Sequence, residues 1–313
     1  MRLVFCGTPQ FAVPTLRAVL AAGHSVELVV TQPDRPSGRG MELAAPPVKQ
    51  LALENNLPIT QPEKIRNNTE FRAQLEQIAP NAILIVAYGR IIPPWMLALP
   101  KHGNINLHAS LLPKYRGAAP IQWAVAMGER VTGNTTMRID EGLDTGDILL
   151  QQKLEIGSAE TAAELFPRLA EQGAALMVET LSQLAAGTLS ATKQDHTAAT
   201  LAPILTREEG RIDFSRSAEG IYNRWRGFQP WPGAYTDWQG KKFVAHRIAL
   251  TEQQSNSVPG TIHIADGRLF VTCGDGTVLE FTEVQLEGKR RMAASEFLRG
   301  AQKADGLLLG GRQ

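Results

Sequence analysis

Near the middle of the chain, Asn104-Ile105-Asn106-Leu107-His108-Ala109-Ser110 alternates polar with apolar residues, then enters the loop Leu111-Leu112-Pro113-Lys114-Tyr115-Arg116-Gly117. In an extended strand successive side chains point to opposite faces, so Asn106 and His108 share one face while Ile105 and Leu107 take the other. An amide and an imidazole meeting where a strand ends suit acyl transfer. Attack on a carbonyl creates an oxyanion there, and each preorganised donor stabilises it by ~3 kcal/mol. Further along, Asp140-Glu141-Gly142-Leu143-Asp144-Thr145-Gly146-Asp147 is an acidic loop with glycines that can return Asp144 to the imidazole. A carboxylate beside an imidazole favours the charged ring, a stronger donor and a proton source. No Gly-x-Ser-x-Gly elbow surrounds any serine, so direct attack by an amine is expected rather than a covalent intermediate.

Taken singly, an Asn, a His and an Asp are commonly turn formers or satisfied polar groups. The wording of the neighbouring segments adds more. Asn106-Leu107-His108, Ser110-Leu111-Leu112-Pro113-Lys114-Tyr115-Arg116-Gly117 and Gly142-Leu143-Asp144-Thr145-Gly146 resemble the signatures of the folate-dependent formyltransferases. That superfamily moves a formyl group from 10-formyltetrahydrofolate to an amine with an Asn/His/Asp trio. Within it, the chain is similar to the methionyl-tRNA formyltransferase family. The segments that carry this are Val4-Phe5-Cys6-Gly7-Thr8-Pro9-Gln10-Phe11-Ala12, Thr31-Gln32-Pro33-Asp34-Arg35-Pro36-Ser37-Gly38-Arg39-Gly40, Val86-Ala87-Tyr88-Gly89-Arg90-Ile91-Ile92-Pro93 and Arg116-Gly117-Ala118-Ala119-Pro120-Ile121-Gln122. The likeness continues more weakly into Phe228-Gln229-Pro230-Trp231-Pro232.

The resemblance implies catalytic roles for Asn106, His108 and Asp144. It implies a folate site at Ser110, Leu111, Leu112 and Pro113, completed by residues 86–93 and 140–144, with 10-formyltetrahydrofolate as formyl donor and no metal. It also implies that the loop at residues 33–47 reaches the acceptor stem of initiator methionyl-tRNA, with Arg39 as its tRNA-binding residue. Family members often carry lysines after the Gly-Arg-Gly of this loop, whereas Met41 and Glu42 follow here, leaving Arg39 as its main cation. Three rivals stand beside this reading. One is a related folate enzyme that formylates a nucleotide or an amino sugar, or hydrolyses formyl-folate; another is a non-catalytic RNA-binding protein on the same scaffold. The third, a dehydrogenase, lacks support because no Gly-x-Gly-x-x-Gly follows Gly7.

The residues that must position this chemistry fit an α/β chain. Short apolar runs at residues 3–6, 26–31 and 82–87 are separated by helix-like segments, as in a parallel sheet with crossover helices. Leu165, Leu169, Leu176, Leu181 and Leu184 have helical spacing within 159–186, which ends at Gly187 and contains Pro167 as a candidate kink. Thr- and Ala-rich residues without a sustained period then read as a linker. Beyond it, alternating runs at 243–250, 260–265, 268–272 and 278–284 are separated by Gln239-Gly240, Asp266-Gly267 and Asp275-Gly276, the pattern of a small β-barrel. The expected organisation is a Rossmann-like parallel-sheet formyltransferase domain over residues 1–187, a linker at 188–207, and a smaller C-terminal tRNA-binding domain at 208–313. The resemblance makes that last domain OB-like.

Composition bounds the partners. With 313 residues and a formal net charge of +1, overall charge does not announce a nucleic-acid partner. Any tRNA contact must rest on local cations, drawn from Arg224, Arg226, Lys241, Lys242, Arg247 and the run Lys289-Arg290-Arg291. Trp225, Trp231 and Trp238 are expected to pack rather than to stack on bases. The two cysteines, Cys6 and Cys273, form no metal or disulfide pattern, which points to a reducing, cytoplasmic setting. No apolar run approaches the ~20 residues of a membrane span, no signal peptide is evident, and a monomer without membrane contact is expected.

Overall fold

The computed structural model of the chain describes residues 1–37 and 42–310. Among these residues one sheet has seven strands: β1 (Arg2–Gly7), β2 (Ser25–Val30), β3 (Ile59–Thr60), β4 (Ala82–Val86), β5 (Asn104–His108), β6 (Val131–Arg138) and β7 (Ile148–Glu155). Their spatial order is β3-β2-β1-β4-β5-β6-β7. The first five pair in parallel, whereas β6 and β7 add as an antiparallel extension. The expected parallel sheet is therefore present, with an edge that the apolar runs do not announce. Strand order reverses between β1 and β4, the kind of switch point where open α/β sheets bind ligands beyond their C-terminal strand ends. Asn106 and His108 lie at that end of β5.

β1 and β4 carry continuous apolar runs because both faces are covered. Leu3, Val4, Phe5 and Cys6 are fully buried, as are Ile83 and Leu84. On one face Val4, Cys6, Leu28, Val30, Ile83 and Ile85 pack with Phe71 and Leu75 of the helix Thr69–Ile78, whose start is capped by Asn68 accepting from the Phe71 amide at 2.9 Å. The long helix runs over Ala162–Ala186 and contains Pro167, with Gly187 at φ +70° after its last residue. It begins three residues later than the leucine spacing indicates. The start is set by a capping box, in which the Thr161 amide donates to Glu164 Oε2 at 2.9 Å and the Glu164 amide donates to Thr161 Oγ1 at 3.3 Å.

The chain divides into two compact units: Met1–Pro120, Val131–Glu155 and Leu165–Pro203 form the first, and Ile121–Arg130, Ile156–Glu164 and Ile204–Gln313 the second. Residues 188–203, whose composition reads as a linker, are hydrogen-bonded into the first unit. Thr192 and Ile148 exchange two backbone bonds of 2.8 Å, and Arg116 receives from Ala202 at 2.7 Å and donates to Thr200 at 2.8 Å. Chain composition carries no trace of these pairings because they use backbone groups.

Among the described residues of the second unit, six strands form an antiparallel sheet: β8 (Tyr235–Trp238), β9 (Lys241–Gln254), β10 (Ile262–Ala265), β11 (Arg268–Thr272), β12 (Thr277–Leu286) and β13 (Met292–Ala293). The order is β8-β9-β12-β11-β10, with β13 on β12. Gln239-Gly240 and Asp266-Gly267 close two tight hairpins with both residues at positive φ, as type I′ geometry requires. Register shifts interrupt the pairing along β9, and the sheet is packed around Phe243, Leu269, Leu279 and Phe281, all fully buried. Trp238 lies 5.5 Å from the Phe243 ring and 5.1 Å from Phe297, and Trp225 packs against the same core. Trp231 is instead 55% exposed, so packing does not account for it.

Both cysteines are free and buried, and burial alone pushes the Cys6 thiol far above its ordinary range and is the main cause that lifts that of Cys273 up to about 12. Neither is a nucleophile at neutral pH. Among the described residues no helix is long and apolar enough to cross a membrane.

Candidate active site

Asn106 and His108 sit two residues apart on β5, so their Cα atoms are ~7 Å apart and their side chains share a face. The strand is held between β4, where Ile85 faces Asn106, and β6, where Thr135 faces His108. Asn106 is half-buried, and its amide makes no side-chain hydrogen bond among the described residues. His108 is buried. Its Nε2 lies 2.9 Å from the Tyr115 carbonyl, which can only accept, so Nε2 carries a proton. The other nitrogen, Nδ1, lies 3.6 Å from Asp144 Oδ2. The same carboxylate oxygen accepts from the Gly117 amide at 2.9 Å. Strand and acidic loop thus meet as the sequence pattern expects.

The loop that returns Asp144 is shaped by its own polar groups. Asp140 Oδ1 accepts from the Gly142 amide at 3.0 Å and from Thr145 Oγ1 at 2.6 Å, an Asx turn that starts the reversal. Asp144 has φ +53°, in the left-handed region that Asp tolerates better than most side chains. Gly146 has no room for a side chain: a Cβ there would stand 1.9 Å from the Arg138 carbonyl oxygen. On the other side, Gly117 has φ +124° and a Cβ would meet the Ala202 carbonyl oxygen at 2.6 Å. These two glycines let backbone approach backbone around Asp144.

The segment expected to hold folate is built from both buried and accessible parts. Ser110 is fully buried and its Oγ donates to the Lys114 carbonyl at 2.6 Å, while its own carbonyl accepts from Thr135 Oγ1 at 2.6 Å. Leu112 is buried as well, its carbonyl accepting from Gln151 Nε2 at 2.9 Å. Ser110 and Leu112 therefore shape the loop, and Leu111 and Pro113 keep partial exposure. Ile91 and Leu143, on the two segments expected to complete the slot, are 93% and 63% exposed. That is apolar surface of the kind a fused ring system covers. Among the described residues no group of three or more His, Cys, Asp or Glu side chains is placed to hold a metal.

Arg39 lies outside the described residues. The base of its loop is a short ribbon pairing Arg35–Ser37 with Glu42–Ala44. It is clamped from below: Lys49 Nζ donates to both Asp34 oxygens at 2.9 and 2.7 Å and to Gln61 Oε1 at 2.8 Å. The Lys49 hydrogen bond, with a second from Gln61, holds the Asp34 carboxyl below the usual carboxylate range.

Of the cations in the second unit, Arg226 is buried and donates to the Gly157 and Glu160 carbonyls, and Arg224 pairs with Glu209 at 2.6 Å. Both are used inside the unit. Arg290 and Arg291 pair with Glu296 and Glu283. Lys241, Lys242, Arg247 and Lys289 are exposed. Sequence reasoning does not single out the Tyr115 carbonyl or the Gly117 amide, because backbone groups leave no residue-type signal. It also passes over Gln194, which stands in the stretch read as a linker.

Residues 1–181 match the family described as formyl transferase, and residues 204–302 match the formyl transferase C-terminal domain. The chain is 69% identical over 310 residues to the methionyl-tRNA formyltransferase of Acidobacterium capsulatum, covering 99% of this chain and 100% of that protein. It is 61% identical over 303 residues to that of Koribacter versatilis, covering 96% of each. Among solved structures it is similar to an N-formyltransferase from Helicobacter canadensis in complex with folinic acid and dTDP-3-aminofucose. The TM-score is 0.67 at 19% identity, covering 89% of this chain and 98% of that one.

Proposed function

The chain belongs to the formyl transferase family, and from that premise we propose that Asn106, His108 and Asp144 are the residues with which it moves the formyl group. It transfers the formyl group of 10-formyltetrahydrofolate to the free amine of methionyl-tRNA, the initiator species, giving formylmethionyl-tRNA. The observation that carries the residue assignment is the approach of Asp144 to His108, 3.6 Å apart, on the strand that also bears Asn106.

The neutral amine of the methionyl ester attacks the formyl carbon, and the carbonyl oxygen becomes an oxyanion. Asn106 donates an amide N–H to it. The His108 Nε2–H, now given to the Tyr115 carbonyl, is the second donor, because an oxyanion outcompetes a neutral carbonyl for it. Collapse breaks the bond from the formyl carbon to N10 of the folate and forms the amide, and N10 gains the proton that the amine gave up to Asp144. Asp144, through a water, accepts the proton lost by the attacking amine and faces Nδ1 of the ring. Direct transfer uses neither thiol, both of which are buried and protonated.

Folate is placed along Ser110–Pro113, with Leu111 and Pro113 offering surface and the exposed Ile91 and Leu143 covered on binding. A formyl-folate analogue is expected to stabilise the protein by about 2.7 kcal/mol at a hundredfold excess over its dissociation constant, read as a rise in melting temperature. NADH at the same excess should leave the melting temperature unchanged. A shift with NADH and none with folate would reinstate the dehydrogenase reading.

The alternative acceptor is an amino sugar nucleotide, the class of compound held with folinic acid in the Helicobacter complex. At 19% identity that likeness concerns the fold, whereas the tRNA acceptor rests on relatives at 69% and 61% identity over 99% and 96% of the chain.

A further inference from the structure

We propose that Gln194 is a positioning residue for the reaction, fixing the backbone that presents Asp144 to His108; the inference rests on the catalytic reading above. Gln194 is 6% exposed. Its Nε2 donates to the Asp144 carbonyl at 2.8 Å and to the Gly146 carbonyl at 2.7 Å. Its Oε1 accepts from Arg116 Nε at 3.1 Å and Nη2 at 2.7 Å. One amide thus uses both N–H groups and both lone pairs.

Arg116, itself buried, is the middle of a tripeptide that grips the pair from its other side. Tyr115 receives the His108 Nε2–H, and Gly117 donates to the Asp144 carboxylate. The Arg116 guanidinium reaches the Asp144 backbone through Gln194 and also touches His196 Nδ1 at 3.1 Å. Gln194 is fixed in turn, because Thr192, two residues earlier, is bonded to Ile148 in both directions.

The backbone of Asp144 needs such support. Even an aspartate, which tolerates the left-handed region better than most side chains, keeps that conformation only where its surroundings hold it. Pinning the 144 and 146 carbonyls to one NH2 group fixes the peptide planes that follow Asp144 and Gly146, and with the first of them the direction of the Asp144 side chain. A displacement of about 1 Å there is enough to cost ~10²-fold in rate.

The test compares Gln194→Glu, Asp144→Asn and the double variant of the full-length protein in formyl transfer to methionyl-tRNA. Glutamate keeps an acceptor for Arg116 but replaces the NH2 donor by an oxygen facing two carbonyls. Gln194→Glu is expected to lower kcat by roughly 10- to 100-fold while moving KM for the formyl donor by less than about threefold. Added to Asp144→Asn, it should lower kcat no further, since no carboxylate remains to be positioned. Should glutamate destabilise the fold, Gln194→Met, which carries no charge, is read in the same way. Multiplying losses in the double variant, or wild-type kcat in the Gln194 variants beside an impaired Asp144→Asn, would overturn the inference and leave the catalytic assignment standing. Wild-type kcat in Asp144→Asn would overturn the assignment itself.

Discussion

Replacing His108 by alanine is expected to reduce kcat by on the order of 10²-fold or more, because a donor worth ~3 kcal/mol to the oxyanion is lost. Folate affinity should hardly change, since the ring's polar partners are the Tyr115 carbonyl and Asp144. The melting temperature should fall by only a few degrees, the side chain contributing one hydrogen bond of about 1 kcal/mol net. Asn106→Ala and Asp144→Asn belong to the same expectation, and their combinations should fall far short of multiplying, as for residues that act as one unit. Steady-state kinetics with both substrates varied, beside a folate titration, checks all of this. Near wild-type turnover in His108→Ala would remove the ring from the chemistry.

The second large effect is expected at Arg39. Flanked by Gly38 and Gly40, it can approach a phosphate or a base edge without a bulky neighbour, and Met41 and Glu42 leave it the main cation of its loop. Arg39→Ala should lower kcat/KM for charged tRNA by ~10²-fold, since misplacing the acceptor end by about 1 Å has that cost. Overall tRNA affinity should fall less, because the second unit is proposed to bind phosphates. The exposed Lys241, Lys242 and Lys289 are the cations proposed for this. Replacing them together should instead weaken tRNA binding and flatten the dependence of log affinity on log salt, the slope falling by somewhat under one for each phosphate left unneutralised. An Arg39→Ala variant that loses affinity and kcat/KM in equal proportion would contradict this division of labour.

Much of the fold is legible because its signals are side-chain patterns. β1 and β4 carry apolar runs and β2 ends in one, so these strands stand out, and the Gln-Gly and Asp-Gly turns of the second unit mark its hairpins. The antiparallel edge is not legible: Val131-Thr132-Gly133-Asn134-Thr135-Thr136-Met137-Arg138 is buried over its interior, yet Asn134 and Thr136 hydrogen-bond to the long helix and Thr135 to the Ser110 carbonyl, so hydrophobicity does not reveal it. Of the candidate site, the shared face of Asn106 and His108 follows from strand parity, and the glycines around Asp144 mark a sharp return. What the residue types do not convey is the backbone chemistry. The Tyr115 carbonyl, the Gly117 amide and the carbonyls bound by Gln194 are groups that nearly every residue carries, and only the fold singles them out.

The most direct test measures formyl transfer from 10-formyltetrahydrofolate to three acceptors under identical conditions: methionyl initiator tRNA, the same tRNA uncharged, and a nucleotide-linked amino sugar. Formyl on the amine of the charged tRNA, with none on the uncharged tRNA or the sugar, is the expected result. Formylation of the amino sugar in preference to methionyl-tRNA would contradict it.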